Sequence, residues 1–296
     1  MPRAVFVILA ALLPLLVIPG GAGARRERNL AVDRRAPFAG VRGTYSAEPR
    51  TVGGRLDVQR LVDELVEIDA NTYNFLVLRN DSDWADLKRF LPAARERGID
   101  VWVTLAPPSK PSGSSMPWGL NFERWAKEIA RLSREEPNLV AWGIDDFSHN
   151  ADFFSRDRLR KILETSRDIN PWLAFVPTVY YKHAIERRFV EQYDGLFDAM
   201  LFPYRAESSG LGNLADPTRV AMEIQHLRSL YGRRLPIVLD VYASRHSRMG
   251  DSTPEYVRRV MSVGSKYADG VIVFRHQAPG TEKWEIVKEL FRQWAK

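Results

Sequence analysis

Eight short apolar runs alternate along the chain with eight longer stretches of helical periodicity, and this alternation predicts an α/β fold. Strictly alternating strand and helix units give a parallel sheet, and eight such units are the number that closes a (β/α)8 TIM barrel. No Gly-rich phosphate-binding loop follows the first run, which argues against the alternative of an open, doubly wound sheet. The sequence therefore predicts a single-domain (β/α)8 barrel.

The predicted strands and helices follow one another without a low-complexity linker. The strands are Phe38–Tyr45, Thr72–Leu78, Val101–Ala106, Leu139–Asp145, Leu173–Thr178, Ala199–Pro203, Ile237–Val241 and Gly270–Phe274. The helices are Asp57–Ile68, Trp84–Arg97, Phe122–Glu135, Arg158–Asp168, Ala184–Tyr193, Thr218–Tyr231, Pro254–Tyr267 and Lys283–Trp294. Start and stop signals support these bounds, since Asn121 precedes the third helix and Gly232 follows the sixth.

The first 24 residues are predicted to be a secretory signal peptide. Arg3 supplies the positive charge, residues 4–18 are almost entirely apolar, and Ala22-Gly23-Ala24 is a small-residue cleavage site. A retained membrane anchor is less favoured, because a spanning helix needs about 20 apolar residues and Pro14 interrupts this run. We expect a secreted protein with a flexible lead-in at residues 25–37 and the barrel at residues 38–296.

Composition excludes several classes of protein and site. The chain has no cysteine, so disulfides and thiolate metal ligands are absent. Its net charge is +6, but acids and bases are interspersed and no basic stripe is interleaved with aromatics, so nucleic-acid binding is not expected. The positive net charge is compatible with weak attraction to an anionic polysaccharide. No His-rich ligand spacing occurs, and no metal or cofactor is expected.

Polar and aromatic residues follow the predicted strands at their carboxyl ends, where the active site of such a barrel lies. The candidate substrate-binding residues at these ends are Tyr45, Arg79, Asp81, Asn150, Tyr204, Asp240 and His276. Further polar residues there are Tyr180, Arg205, Tyr242, Arg245 and His246. Aromatic rings cover the apolar face of a pyranose, carboxylates transfer protons, and Arg or Asn side chains bind hydroxyls. This combination predicts a site for carbohydrate.

The sharpest local signal is the pair Asp145-Asp146, which closes the fourth strand. Two like charges in a partly dry place raise the pKa of one carboxyl, which suits a general acid near neutral pH. The structural alternative is a helix N-cap or an arginine partner. For the nearby His149, a hydrogen-bonding role is favoured over metal ligation because no ligand spacing supports a metal.

Several ordered segments resemble glycoside hydrolase family 84, the β-N-acetylglucosaminidases that include O-GlcNAcases. Gly40-Val41-Arg42-Gly43-Thr44-Tyr45 is similar to the family's first-strand GVxEGFYG, and Ile144-Asp145-Asp146-Phe147-Ser148-His149-Asn150 to its strand-four end. The other similar segments are Asn71-Thr72-Tyr73 with Arg79-Asn80-Asp81 (NTY…KDD), Ala106-Pro107 and Pro177-Thr178-Val179-Tyr180 (PTEY). The segments are collinear over about half of the barrel. They also add Gly43 to the candidate substrate-binding residues.

The resemblance implies substrate-assisted retention, in which the 2-acetamido oxygen of the substrate attacks the anomeric carbon. Asp145 would orient the acetamido group, and Asp146 would be the general acid and then the general base. Tyr180 would hydrogen-bond the acetamido oxygen. The late strands depart from the family pattern, with Leu239-Asp240-Val241 in place of Trp-Asp-Asn, and Val179 replaces a glutamate.

Two alternatives to substrate-assisted catalysis follow from the same residues. One is a glycosidase with two protein carboxylates, in which Asp146 is the acid and Asp240 the nucleophile or base. The other is a non-catalytic barrel that binds glycans. All three interpretations share an oligo- or polysaccharide, or a glycoconjugate, as the ligand.

Overall fold

Eight parallel strands alternate with helices in the computed structural model, which describes residues 33–46, 48–78, 80–109, 115–275 and 279–295. The barrel strands are β1 (Val41–Tyr45), β2 (Thr72–Val77), β3 (Asp100–Leu105), β4 (Leu139–Ile144), β5 (Ala174–Phe175), β6 (Met200–Pro203), β7 (Ile237–Tyr242) and β10 (Gly270–Phe274). A small hairpin of β8 (Arg245–His246) and β9 (Gly250–Asp251) follows β7. The helices are α1 (Val58–Glu67), α2 (Asp83–Glu96), α3 (Phe122–Glu135), α4 (Arg156–Arg167), α5 (Tyr181–Ala184), α6 (Arg187–Tyr193), α7 (Val220–Tyr231), α8 (Pro254–Gly264) and α9 (Glu282–Trp294).

The strands form one sheet in the order β5-β4-β3-β2-β1-β10-β7-β6, with every neighbouring pair parallel. The two outer strands meet through a parallel bridge between Thr178 and Leu201. The Leu201 amide donates to the Pro177 carbonyl at 3.0 Å, and the Val179 amide donates to the Leu201 carbonyl at 2.9 Å. These bonds close the sheet on itself, and the prediction of a (β/α)8 barrel is confirmed.

Two predicted elements differ most from those observed. The fifth strand is only two residues long, although the Val176 amide still donates to the Trp142 carbonyl at 2.8 Å and the Thr178 amide to the Ile144 carbonyl at 3.2 Å. The predicted helix Ala184–Tyr193 is divided into α5 and α6, because Glu186 has an extended backbone with φ −71° and ψ 122°. The other strands whose ends carry site residues, β1, β4, β6, β7 and β10, end within one residue of their predicted ends.

The apolar residues form an inner and an outer core. The outer core fills the space between sheet and helices, whereas the inner core fills the barrel itself. Phe38, immediately before β1, plugs the amino end of the barrel and packs edge-to-face on Trp102 with ring centroids 5.3 Å apart. The amino end is therefore packed shut, which leaves the carboxyl end for a site.

The end of the predicted lead-in contacts the barrel. Of residues 25–37 the structure describes 33–37, and Arg34 Nε donates to Asp198 Oδ1 at 2.8 Å. The predicted signal peptide, residues 1–24, lies outside the described residues. Within the described ranges, no helix has the length and apolar character that crossing a membrane requires.

Gly143 allows β4 and β5 to approach each other just below the site. A Cβ atom added at Gly143 would lie 2.1 Å from the carbonyl oxygen of Val176, closer than side-chain movement could relieve. We therefore expect Gly143→Ala to lower the free energy of unfolding by about 1–3 kcal/mol, the cost of overpacking a core. Urea unfolding measures this change.

The matched control is Gly53→Ala, where the added Cβ would meet no atom nearer than 3.9 Å. A Gly143→Ala protein as stable as the control would contradict the close approach of β4 and β5.

Candidate functional site

A cavity of about 760 Å³ opens at the carboxyl ends of the barrel strands. Its charged and histidine lining residues are Asp145, Asp146, His149, Arg205, Arg245, His246, Arg248 and Arg275. The aromatic and aliphatic lining residues are Tyr45, Leu76, Leu78, Tyr180, Tyr242 and Phe274. The cavity thus combines carboxylates, cations and ring faces, as the polar residues at the strand ends predict.

The backbone after β4 turns sharply to present Asp146. The Asp145 amide continues the ladder to the Leu105 carbonyl at 2.9 Å, and Asp146 then adopts the left-handed conformation, with φ 48° and ψ 31°. The Asp146 amide donates to Asp145 Oδ1 at 3.0 Å, so the first carboxylate stabilises the turn that carries the second. A non-glycine residue in this region costs on the order of 1 kcal/mol or more, and such strain concentrates at functional sites.

Asn150 holds this turn from behind. Its amide nitrogen donates to the Asp146 carbonyl at 2.9 Å and to Ser109 Oγ at 3.0 Å, and its Oδ1 accepts from the Ser109 amide at 3.0 Å. Asn150 is buried and is not among the lining residues of the cavity. In this structure it joins the loop after β3 to the turn after β4.

Tyr180 lies against Asp146 across the gap between β4 and β5. Its hydroxyl donates to Asp146 Oδ1 at 2.5 Å. The Arg205 guanidinium stacks on the Tyr180 ring at 3.9 Å, and the His149 ring lies 4.5 Å away, centroid to centroid. Burial, with the neighbouring Tyr242 and Asp146, raises the pKa of Tyr180 well above its usual value, so the hydroxyl remains a donor at neutral pH.

Asp240 lies beneath the cavity floor. It is fully buried, its Oδ2 accepts a hydrogen bond from the Tyr45 hydroxyl at 2.7 Å, and it is not among the lining residues. Burial raises the pKa of Asp240 to about 8 despite the Tyr45 hydrogen bond, and the charge of Asp145 adds to the rise. Tyr45 therefore lies in the cavity wall, with Asp240 as its hydrogen-bond partner behind it.

The structure does not bring three other candidates to the cavity. Gly43 lies within β1, where an added Cβ would be 2.9 Å from Ile272 Cγ1, so it serves close strand packing. Tyr204 is fully buried, and its hydroxyl donates to the Asp216 carbonyl at 2.7 Å. Asp81 is exposed before α2 and does not line the cavity. The remaining candidates, Arg79 and His276, lie outside the described residues.

Several residues that line the cavity were not among the candidate site residues predicted from the sequence, although they follow predicted strands. Arg205 follows β6 and is largely buried, and its guanidinium pairs with Glu207. Tyr242 is two residues after Asp240 on β7, so both side chains point to the barrel axis. Position at a strand end was the available signal for both residues. Arg248 lies in the loop of the β8–β9 hairpin, and no pattern in the sequence predicted that this loop would line the cavity.

The described lining of the cavity carries carboxyl, phenol and imidazole groups. Over the parts of the chain that the structure describes, no group of three or more His, Asp or Glu side chains is arranged to hold a metal ion. Burial lowers the pKa of His149, which therefore remains neutral at pH 7. Asp145, Asp146 and Tyr180 bring carboxyl and phenol oxygens to the lining of the cavity.

The raised pKa of Asp240 predicts a pH-dependent effect on stability. Asp240 ionises near pH 4 in the unfolded chain, at about 3.9, and near pH 8 in the fold, so its contribution to the free energy of unfolding falls as pH rises through this window. Relative to the native protein, Asp240→Asn should therefore gain stability between pH 4 and pH 8. The gain is bounded by about 1.4 kcal/mol per unit of pKa difference.

Urea unfolding of both proteins at pH 5 and pH 8.5 measures the gain. Asp157→Asn is the control, because it removes the same charge from a carboxylate that is 82% exposed. A stability difference between Asp240→Asn and the native protein that does not change with pH would contradict the buried, neutral Asp240.

Comparison with known proteins identifies the fold. No family model matches the sequence, and no curated protein matches it. Among solved structures, a glucosidase from Croceicoccus marinus is similar, with a TM-score of 0.61 and 12% identity over 88% of this chain and 68% of that one. A GH113 β-1,4-mannanase gives a TM-score of 0.60 at 9% identity, over 86% of this chain and 99% of that one.

A GH5_18 protein from Streptomyces cattleya, solved in complex with GlcNAc, has a TM-score of 0.60 at 14% identity over 81% of this chain and 75% of that one. The chain spans about half the length of two larger similar proteins, a β-galacturonidase from Eisenbergiella tayi (51%) and a β-D-glucuronidase from Dictyoglomus thermophilum (50%). At these identities the likeness concerns the fold alone, and it shows that the chain has the (β/α)8 barrel fold.

Proposed function

We propose that this protein is a secreted glycoside hydrolase that cleaves 2-acetamido sugars of the β-N-acetylglucosaminide type by substrate-assisted, retaining catalysis. The observation that carries the proposal is the convergence of Asp145, Asp146 and Tyr180 on one wall of the cavity, with the Tyr180 hydroxyl 2.5 Å from Asp146. Secretion rests on the signal-peptide pattern of the first 24 residues.

The mechanism assigns one task to each of these side chains. Asp146, raised into the cavity by its left-handed turn, protonates the glycosidic oxygen and then removes a proton from the attacking water. Asp145 holds the acetamido N–H, which directs the acetamido oxygen to the anomeric carbon as an oxazoline forms. Tyr180, a neutral phenol one hydrogen bond from Asp146, donates to the acetamido oxygen when substrate displaces that bond.

The surrounding residues suit a pyranose ring. Tyr45, Tyr242 and Phe274 form a continuous aromatic surface on the opposite side of the cavity, with centroid separations of 5.0 Å and 5.3 Å to Phe274. Such ring faces pack on the apolar face of a sugar. The GH5_18 structure with GlcNAc is an instance of a barrel of this fold holding a 2-acetamido sugar.

The burial of Asp240 favours substrate assistance over catalysis by two protein carboxylates. A protein nucleophile must contact the anomeric carbon, but Asp240 is fully buried behind Tyr45 and is hydrogen-bonded to it. With a pKa near 8, this side chain is also mostly protonated at neutral pH, and a protonated carboxyl is a poor nucleophile. The acetamido oxygen of the substrate then takes the role of nucleophile, which Asp240 cannot take from behind Tyr45.

Asp146→Asn removes the proton donor and should lower kcat/KM for an aryl N-acetyl-β-glucosaminide by about 10²- to 10⁴-fold. The asparagine carbonyl can still accept from Tyr180, so the fold of the site should persist. Release of the aryl group measures the rate for the native protein, this variant and the control Asp152→Asn, an exposed acid in the same loop.

Equal rates for Asp146→Asn and the control would contradict the assignment of Asp146. Saccharide binding by the native protein without turnover of any acetamido substrate would instead support a glycan-binding barrel.

A series of substrates tests whether the acetamido oxygen is the nucleophile. Fluorine substitution of the acetyl methyl group withdraws electrons from the carbonyl oxygen, so kcat/KM should fall steadily from acetyl through monofluoro-, difluoro- and trifluoroacetyl glucosaminides. Initial rates with one common aryl leaving group measure the trend. A flat series, or cleavage of the 2-hydroxy glucoside at the same rate, would assign the nucleophile to a protein carboxylate.

A further inference from the structure

The charges around the cavity are unevenly distributed. Two carboxylates line it, Asp145 and Asp146, and both follow β4. Four arginines line it as well, and they follow β6, β7 and β10. The cavity therefore has an acidic side, where the chemistry is proposed, and a basic side that this chemistry does not use.

Three of the four lining arginines, Arg205, Arg245 and Arg248, differ in their partners. Arg205 pairs with Glu207 and stacks on Tyr180, so its charge is largely compensated. Arg245 and Arg248 are exposed, and no carboxylate among the residues that the structure describes forms an ion pair with either. Two uncompensated cations thus stand on the hairpin after β7.

The hairpin is held in place by contacts that leave both arginines available. Arg245 pairs with Asp251 through the backbone, whereas the Asp251 side chain accepts from Lys283 at 2.7 Å, near the start of α9. The Arg248 amide donates to His246 Nδ1 at 3.1 Å, which fixes the turn of the hairpin. The guanidinium groups therefore extend from an anchored loop rather than from a free segment.

Barrel closure places this hairpin across the cavity from the catalytic pair. Counted through the closing contact, β4 and β7 are three strands apart in a ring of eight, since β5 and β6 lie between them. Asp146, His246 and Arg248 line one cavity, so both sides face the same space. A saccharide bound at Asp146 would extend its neighbouring unit toward the hairpin.

We propose that the cavity selects an anionic saccharide, and that Arg245 and Arg248 bind the carboxylate or sulfate group of the sugar unit next to the cleaved bond. This proposal rests on the proposed function for the position of the cleaved bond. Arginine forms paired, charge-assisted hydrogen bonds to planar oxyanions, which a neutral hydroxyl cannot replace. A neutral polymer would leave two cations facing it without a counter-charge, so the site discriminates by charge.

Binding of hexasaccharides by calorimetry tests the proposal in the Asp146→Asn protein, where cleavage is suppressed. The probes are an N-acetylglucosamine hexamer, the same hexamer with 6-O-sulfates, a hexamer of alternating glucuronate and N-acetylglucosamine, and a hexagalacturonate without acetamido groups. We expect at least one anionic probe to bind about tenfold or more tightly than the neutral hexamer at low salt. The advantage should shrink as ionic strength rises.

Arg245→Gln with Arg248→Gln in the same protein should abolish this advantage. The matched control is Arg131→Gln with Arg134→Gln, which removes the same charge from two exposed residues in the last turns of α3, at the amino end of the barrel. Equal affinity for neutral and anionic probes, or an advantage that survives the hairpin double variant, would overturn the proposal. Tighter binding of an RNA oligonucleotide than of every saccharide would overturn it as well.

The outcomes separate this proposal from the proposed function. If the native protein cleaves a neutral aryl N-acetylglucosaminide but no probe shows a charge preference, the anion site is wrong and the hydrolase remains. If no acetamido substrate is cleaved while hexagalacturonate binding depends on Arg245 and Arg248, the anion site stands without the acetamido chemistry. Preference for the carboxylated or the sulfated probe identifies the anionic group.

Discussion

Closure of the sheet between β5 and β6 is the constraint on which the site depends. β5 is two residues long and β6 four, so the closing contact consists of a bridge at Thr178 and Leu201 with a few flanking backbone bonds. Without it, the acidic pair after β4 and the hairpin after β7 would lie five strands apart along an open sheet. With it, they face each other across a cavity of about 760 Å³. Gly143 permits the close approach of β4 and β5, the strand that makes the closing contact with β6.

Polar groups at the carboxyl end are ordered by one another rather than by the apolar core. Asp145 supports the turn of Asp146, Asn150 ties that turn to the loop after β3, and Tyr180 bonds to the carboxylate that the turn presents. Such networks are well defined when their members are satisfied, because low local dielectric strengthens each bond. Asp240 and Tyr45 form a second, deeper pair, in which burial keeps the carboxyl mostly protonated at neutral pH. The acidic side of the cavity is therefore preorganised before any ligand enters.

The fold was predictable to within a few residues because strand and helix periodicities are local properties of the chain. The starts of β4 and β10 match their predicted positions, whereas β5 and the helix after it do not. There β5 is only two residues long, and the extended backbone of Glu186 interrupts the helix. The candidate site was predictable in part: Asp145, Asp146, Tyr180 and Tyr45 line one cavity. Asn150 and Asp240 lie behind residues that line it, while Tyr204 is turned into the packing against Tyr256.

The sequence by itself determined the (β/α)8 architecture, the carboxyl-end location of the cavity and the acidic pair after β4, because these follow from periodicity and from the order of the residues. Only the tertiary structure decided which strand-end residues face the cavity. Side-chain direction alternates along a strand, and a shift of one residue, as between Asp240 and Val241, exchanges the barrel interior for the helix layer. The tertiary structure also decided the opposition of acidic and basic sides, since this depends on closure through contacts between residues far apart in the chain.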